Sequence, residues 1–270
     1  MHSICIERKY PLPGALQRAA DLGYQGYEID VGDFGNTGLG LHWPEEYTAP
    51  RVAAARQAAE AAGIAISSLC LGVLWRFYPS SPDVSVRAQA AEIIRQAPAL
   101  AALAGAGVIL LPVGQPDSLT PAQARDNLVE VLKGCVGEAE RAGVVYGVEN
   151  VGQALARTAD DLLEIVSRVG SPACRVYYDV GNATAQGASP ADDLRKLGDH
   201  IAMIHVKDVV RQGERRIATI GEGEVDWPGV ARAVADISYD GYLTLEVPGT
   251  PEDADEVAIH SRDALRRFGL

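Results

Sequence analysis

Residues 175–208 read RVYYDVGNATAQGASPADDLRKLGDHIAMIHVKD. The run Arg175–Val180 is rich in β-branched and aromatic residues, which suits a strand. Ser189-Pro190 then marks a helix start: the serine oxygen can accept from an orphan backbone N–H, and proline has no N–H to orphan. Ala191–Gly198 carries that helix, and Ile201–Asp208 is again apolar and strand-like. A helix between two consecutive strands implies that the strands pair in parallel.

The same cadence extends from this stretch to both ends of the chain. Strands are predicted at Ser3–Glu7, Gly26–Val31, Ala65–Leu71, Val108–Val113, Val144–Asn150, Arg175–Val180, Ile201–Asp208 and Tyr242–Val247. Helical stretches fall at Arg51–Ala62, Val84–Gly105, Ala122–Ala142, Ala159–Val169, Ala191–Gly198, Gly229–Ile237 and Glu252–Phe268. Within them apolar residues recur at i, i+3 and i+4, as in Leu128, Val131, Leu132 and Cys135. Ser81-Pro82, Thr120-Pro121 and Thr250-Pro251 repeat the cap-then-proline signal, and Thr158 is followed by Asp161 at the capping-box position. Pro98 predicts a kink in its helix. Eight βα units in 270 residues, about 34 residues each, close into a (β/α)8 TIM barrel, an α/β fold with residues 1–270 as a single domain. A doubly wound open sheet is the competing arrangement.

Composition narrows the partners. With 47% hydrophobic and 22% charged residues the chain can bury a sizeable core. No apolar run is long enough to span a membrane, and Met1–Glu7 lacks the basic start and apolar stretch of a secretory signal. Cys5, Cys70, Cys135 and Cys174 are scattered with no CxxC, which argues against a disulfide framework and for a cytoplasmic home. A net charge of −12 disfavours nucleic acid and anionic membrane as partners. A small molecule remains, bound by a monomer or a homo-oligomer.

In a barrel of this kind the active site lies at the C-terminal ends of the strands. Four consecutive strands end in Glu149, Asp179, His205 and Glu246. Singly, each has an ordinary explanation as a solvated or helix-capping group. Together, three carboxylates at one rim would repel each other unless a cation stood among them. Three oxygen donors, one imidazole and no thiolate favour Mn²⁺, Mg²⁺ or Co²⁺ over a structural zinc; Mn²⁺ is the expected ion, with Mg²⁺, Co²⁺ and Zn²⁺ as alternatives. Side chains alternate along a strand, so Lys207 shares the face of His205, about 6–7 Å further on, and Asp208 faces the helices. Lys207 could grip a substrate oxygen.

At these residues the chain resembles the xylose-isomerase-like TIM barrels, which include sugar-phosphate isomerases and epimerases. The resembling pieces are Val148-Glu149-Asn150, Tyr178-Asp179-Val180-Gly181-Asn182, His205-Val206-Lys207-Asp208, Gly221-Glu222-Gly223-Glu224-Val225-Asp226-Trp227 and Leu245-Glu246. The set is most similar to the L-ribulose-5-phosphate 3-epimerase type. The first half matches only in cadence, plus Gly26-Tyr27-Glu28-Ile29. The resemblance implies that Glu149, Asp179, His205 and Glu246 bind one divalent metal. It also implies that Glu149 and Glu246 exchange protons with the substrate from opposite faces. Asn182 departs from several free-ketose epimerases and hydroxypyruvate isomerase, which carry histidine there; this tilts the expectation toward a phosphorylated sugar.

That mechanism is chemically sound: a metal stabilises the enediolate formed by proton loss next to a carbonyl, and two opposed carboxylates can remove and return the proton with inversion. Substrate contacts are expected from Lys207, Asn182, Glu28, Trp75 and His42. A phosphate is expected to meet Arg216, with Arg211 and Arg215 beside it in the loop after strand seven. Three other readings compete. A lyase or dehydratase would share the enediolate, and a non-catalytic sugar-binding barrel would not need the two bases. A metal-dependent abasic-site endonuclease would need more histidines and a basic groove. Nucleotide-dependent oxidoreduction fails because Gly221-Glu222-Gly223 has no third glycine in place.

Overall fold

The computed structural model describes residues 1–32, 40–152, 154–211 and 216–270. Its main sheet is parallel throughout. The strands are β1 (Gly26–Gly32), β2 (Leu41–His42), β3 (Ala65–Cys70), β4 (Val108–Pro112), β5 (Val145–Glu149), β6 (Cys174–Asp179), β7 (Ile201–Val206) and, after a short hairpin of β8 (Asp208–Val210) with β9 (Arg216–Ala218), β10 (Leu243–Leu245). They lie in the order β10-β7-β6-β5-β4-β3-β1-β2. Apart from the two-residue β2, neighbours in the sheet are consecutive βα units. This is the barrel order and not that of a doubly wound sheet, whose order reverses at a switch point.

The first predicted strand is replaced by something shorter. Ser3–Cys5 is a 3₁₀ turn, and the two residues before it link β10 to β1. Glu28 N–H donates to the Met1 carbonyl at 2.8 Å, and His2 N–H donates to the Leu245 carbonyl at 2.9 Å. The Met1 ammonium donates to the Gly26 carbonyl at 2.8 Å. The turn forms because His2 caps it, its Nδ1 accepting from Ile4 N–H at 3.0 Å.

The helices follow the capping chemistry with three differences. Thr120 and Thr158 open α4 (Pro121–Lys133) and α6 (Ala159–Val169) with reciprocal capping boxes, and Ser189 caps α8 (Pro190–Leu197). Asp83, not Ser81, caps α3 (Val84–Ala104), which continues as one helix through Pro98. Thr250 and Asp253 bond reciprocally, but the α-helix α10 (Ala254–Phe268) starts one turn later. The predicted run Ala122–Ala142 breaks at Gly134-Cys135 into α4 and α5 (Val136–Ala142). The remaining helices are α1 (Leu12–Asp21), α2 (Ala49–Ala62), α7 (Val180–Ala185) and α9 (Trp227–Asp236). Among the described residues, no helix is long and apolar enough to cross a membrane.

Two layers of buried apolar residues result. The larger packs helices onto the outer faces of the strands. A smaller cluster of Cys70, Leu110, Tyr177 and Met203 fills the space the strands enclose. Strand alternation then puts Glu28 and Asp30 of β1, Cys70 of β3, Glu149 of β5, Asp179 of β6 and His205 of β7 on the enclosed side, toward the C-terminal rim.

Candidate active site

Glu149, Asp179, His205 and Glu246 meet at that rim. One donor atom from each lies within 4.8 Å of every other. Each is held by its own strand end. Asp179 caps α7, its Oδ1 accepting from Asn182 N–H at 2.7 Å, which aims Oδ2 at the cluster. Asn150 ties β5 to β6: its side-chain amide donates to the Asp179 carbonyl at 2.9 Å and accepts from the Asp179 N–H at 2.7 Å. Thus Asn150 fixes the relative height of Glu149 and Asp179.

His205 is the centre of the group and is 1% exposed. Its Nδ1 faces the carboxylates: Glu149 Oε1 at 3.0 Å, Glu246 Oε2 at 3.4 Å and Asp179 Oδ2 at 3.8 Å. Its Nε2 lies 2.7 Å from Glu28 Oε1. Glu28 in turn accepts from the hydroxyls of Ser68 at 2.6 Å and Tyr177 at 2.8 Å on its other oxygen. A carboxylate on the far nitrogen fixes the ring's orientation and leaves the near nitrogen as a donor to a cation. Burial works against charge on His205, but Glu28, Glu246 and Glu149 outweigh it and hold the imidazole pKa well above its usual value. Glu28 is likewise pulled down to about 2: burial opposes its charge and His205 overcomes the opposition.

The three rim carboxylates differ. Burial pushes Glu149 up to about 7, with His205 working the other way. Burial also raises Asp179, against the charge of Lys207. Burial raises Glu246 too, but Lys207 and His205 prevail and hold it well below the ordinary carboxylate range. Lys207 Nζ sits 2.7 Å from Asp179 Oδ2 and 2.6 Å from Glu246 Oε2. Burial opposes its charge, and these two carboxylates more than restore it. The donor set fits a hard divalent ion: three carboxylates and one imidazole whose far nitrogen is anchored.

Asp208 is turned away from the rim, as strand alternation predicts, and does structural work there. Its carboxylate accepts from Val209 N–H and Gly221 N–H at 2.9 Å, Val225 N–H at 3.1 Å and the Trp227 indole N–H at 2.9 Å. A Cβ on Gly223 would lie 2.1 Å from Asp208 Oδ1, so only glycine lets the loop wrap that carboxylate. The His-Val-Lys-Asp and Gly-Glu-Gly motifs are therefore one unit in space.

A cavity of about 330 Å³ opens onto the cluster, lined among others by Glu149, His205, Lys207, Glu246, Asn182 and Trp75. Lys207, Asn182 and Trp75 thus stand where substrate contacts were expected. Three expected contacts stand elsewhere. Glu28 is 0% exposed and both its oxygens are spent on His205, Ser68 and Tyr177, so it has no face left for a substrate hydroxyl. His42, in β2, lines a separate cavity with Leu12, Leu41 and Arg51. Arg216 is exposed on the β8–β9 hairpin and does not line the rim cavity, while Arg211 is paired to Glu224 at 2.8 Å. Arg215 lies outside the described residues.

The cavity also has walls the sequence did not reveal: His2, Arg8, Asp30 and Cys70. Arg8 is the arginine among these cavity-lining residues, and Arg216 is not one of them. Asp30 and Cys70 are cross-strand partners in β1 and β3. Their alternation with Glu28 and Ser68 was the available signal. His2 reaches the site because the ring is joined by Met1 and His2 and not by Ser3–Glu7.

Fold and rim together define a (β/α)8 barrel with an acidic, histidine-centred pocket at its C-terminal face. The family model for the xylose isomerase-like TIM barrel matches residues 16–268, and the chain belongs to that family. L-ribulose-5-phosphate 3-epimerase UlaE of Salmonella paratyphi A is 30% identical over 237 residues, covering 86% of this chain and 80% of that protein. The protein of the same name from Escherichia coli O157:H7 is 30% identical over 257 residues, covering 93% and 87%. Among solved structures, a D-tagatose 3-epimerase-like protein superposes with a TM-score of 0.82 at 23% identity, covering 99% of this chain and 95% of the other. An L-ribulose 3-epimerase does so with a TM-score of 0.81 at 20% identity, covering 100% and 94%. These two likenesses establish the shared fold.

Proposed function

We propose that the chain is a divalent-metal-dependent epimerase that inverts the carbon next to the carbonyl of a ketose, with a ketopentose phosphate as its substrate class. The observation that carries this reading is the convergence of Glu149 and Glu246 on one cavity from strands three steps apart, with His205 and Asp179 between them. Asp179, His205, Glu149 and Glu246 would hold the ion, Mn²⁺ in preference to Mg²⁺, Co²⁺ or Zn²⁺. Bound there, it would supply Lewis acidity toward the substrate's oxygens.

The chain's own groups account for the rest. One glutamate takes the proton from the carbon beside the carbonyl, leaving an enediolate, and the other returns a proton to the opposite face. Glu28 keeps the His205 ring fixed through the cycle. Asn182 and Lys207 stand beside the cluster as partners for substrate oxygens. Arg8 offers the same cavity a guanidinium suited to a phosphate, which agrees with the substrate named for the two relatives above. The chemistry is that of a small-molecule enzyme of the cytoplasm.

The test is turnover of a ketopentose phosphate in heavy water with Mn²⁺ present. The reading expects an epimeric product with one deuterium at the inverted carbon and no loss of oxygen or carbon. A product lighter by one water, or a cleaved chain, would transfer the assignment to a lyase. Binding without any exchange would make the barrel a non-catalytic binder.

A further inference from the structure

Lys207 was expected to reach a substrate oxygen, yet its ammonium lies against the rim carboxylates. Nζ is 2.7 Å from Asp179 Oδ2 and 2.6 Å from Glu246 Oε2. Both belong to the four side chains whose donor atoms converge within 4.8 Å. An ion held by Asp179 and Glu246 needs the same oxygen lone pairs. An ammonium and a divalent cation side by side repel strongly where water is largely excluded. Asp179 is fully buried and Lys207 is only 7% exposed.

We propose that Lys207 is a tethered stand-in for the metal: it holds Asp179 and Glu246 together while no ion is bound, and ion entry expels it toward the cavity. This rests on the proposed metal site. The surroundings are arranged for a side chain that moves on a backbone that does not. Asp208, the next residue, is fixed by three hydrogen bonds from the Gly221–Trp227 loop and one from Val209 N–H. The stem lies across the first turn of α7 at Gly181, where a Cβ would come within 2.4 Å of Lys207 Cγ. The bare backbone at Gly181 is what lets the stem run beside Asp179. The lysine already lines the cavity, so rotation about its side-chain bonds delivers the ammonium to a wall that a substrate oxygen can reach. Ion binding and the presentation of a cation to the substrate then become one event.

The experiment is calorimetric titration of Mn²⁺ into metal-free wild type, Lys207→Met and Lys207→Arg, with melting temperatures measured before and after loading. Removing the competing charge should tighten Mn²⁺ binding about tenfold or more in Lys207→Met. The metal-free Lys207→Met protein should melt below the wild type, and loading should raise its melting temperature by more than it raises the wild type's. Lys207→Arg, which keeps the charge, should not gain affinity. If Lys207→Met does not fold, Lys207→Gln is read the same way. Equal or weaker Mn²⁺ binding by the uncharged variant would overturn the exchange, since the lysine would then support the loaded site. Failure of the wild type and the variant alike to bind Mn²⁺ would overturn the metal site itself.

Discussion

The rings of His205 and His2 sit edge to face with centroids 5.8 Å apart, and each belongs to a group of side chains of metal-binding type. The two groups share a cavity and a neighbour, Glu28, yet their hydrogen bonds make them different objects. His205 spends Nε2 on Glu28 and turns Nδ1 toward three carboxylates. His2 spends its Nδ1 lone pair on Ile4 N–H, so Nε2 carries the proton and lies 3.8 Å from Glu28. Burial also drives Asp30 and Cys70 well above their ordinary pKa ranges and lowers His2, so it opposes charge on all three. Donor identity alone does not make a metal site. The bond on the other ring nitrogen decides whether a lone pair is left to give.

The largest effect expected from this contrast is on metal content. After reconstitution with Mn²⁺ and desalting, elemental analysis should find about one ion per chain in the wild type, in His2→Gln and in Cys70→Ser. Asp179→Asn and His205→Ala should lose it, with affinity down about a hundredfold or more. A Cys70→Ser protein as empty as His205→Ala would break the distinction between the two groups.

A smaller effect should follow from Glu28, which touches both rings. Glu28→Gln leaves the rim donors in place but weakens the anchor on His205, so Mn²⁺ affinity should fall about 10–100-fold. Asp30→Asn, two residues along the same strand, should leave that affinity unchanged. Titration calorimetry on both variants sharpens the comparison, and equal losses would show that β1 acts on the site only as a scaffold.

The smallest effect concerns another buried carboxyl near the start of the chain. Glu7 is 4% exposed, accepts from Tyr27 Oη at 2.6 Å and from Gly40 N–H, and burial raises its pKa to about 7 against those hydrogen bonds. Unlike Glu28, it has no cation beside it among the described residues. A carboxyl with a raised folded-state pKa gives full stability below the unfolded value near 4.5 and loses it as pH climbs through about 7. Glu7→Gln should flatten that fall, gaining about 1–2 kcal/mol relative to wild type at pH 8 over the difference at pH 4.5. Denaturant unfolding at the two pH values measures it. Parallel pH curves for the two proteins would remove Glu7 as the cause.

The rim cluster was legible because each of its members ends a strand whose βα step could be counted, and the barrel rule turns strand ends into neighbours. Glu28 was also placed on the right face, but alternation says nothing about depth. Two residues separate Asp30, which lines the cavity, from Glu28, which lies below it and holds His205. Arg8 was missed as a wall of the rim cavity for a related reason. Composition pointed to the basic loop around Arg216, whereas Arg8 follows a segment expected to be a strand and found to be a 3₁₀ turn. Ser3–Glu7 has the apolar content of a strand, but the ring is joined by Met1 and His2, and nothing local in the sequence announces so short a link. Lys207 was placed on the correct face, but its ion pairs depend on side-chain reach across three strands, which sequence spacing does not encode.

The account stands most directly on Glu149 and Glu246 acting from opposite faces of the substrate. Their division of labour is read by deuterium wash-in, with both epimers of the substrate incubated separately in heavy water with Glu149→Gln and Glu246→Gln. Metal content is measured first, and only metal-bearing protein is compared. Each variant should lose net interconversion by about a thousandfold or more. Each should still wash deuterium into one epimer without inverting it, and the two variants should choose opposite epimers. Metal-bearing variants that both interconvert the epimers at near wild-type rates, or that both exchange the same epimer, would contradict the two-base site.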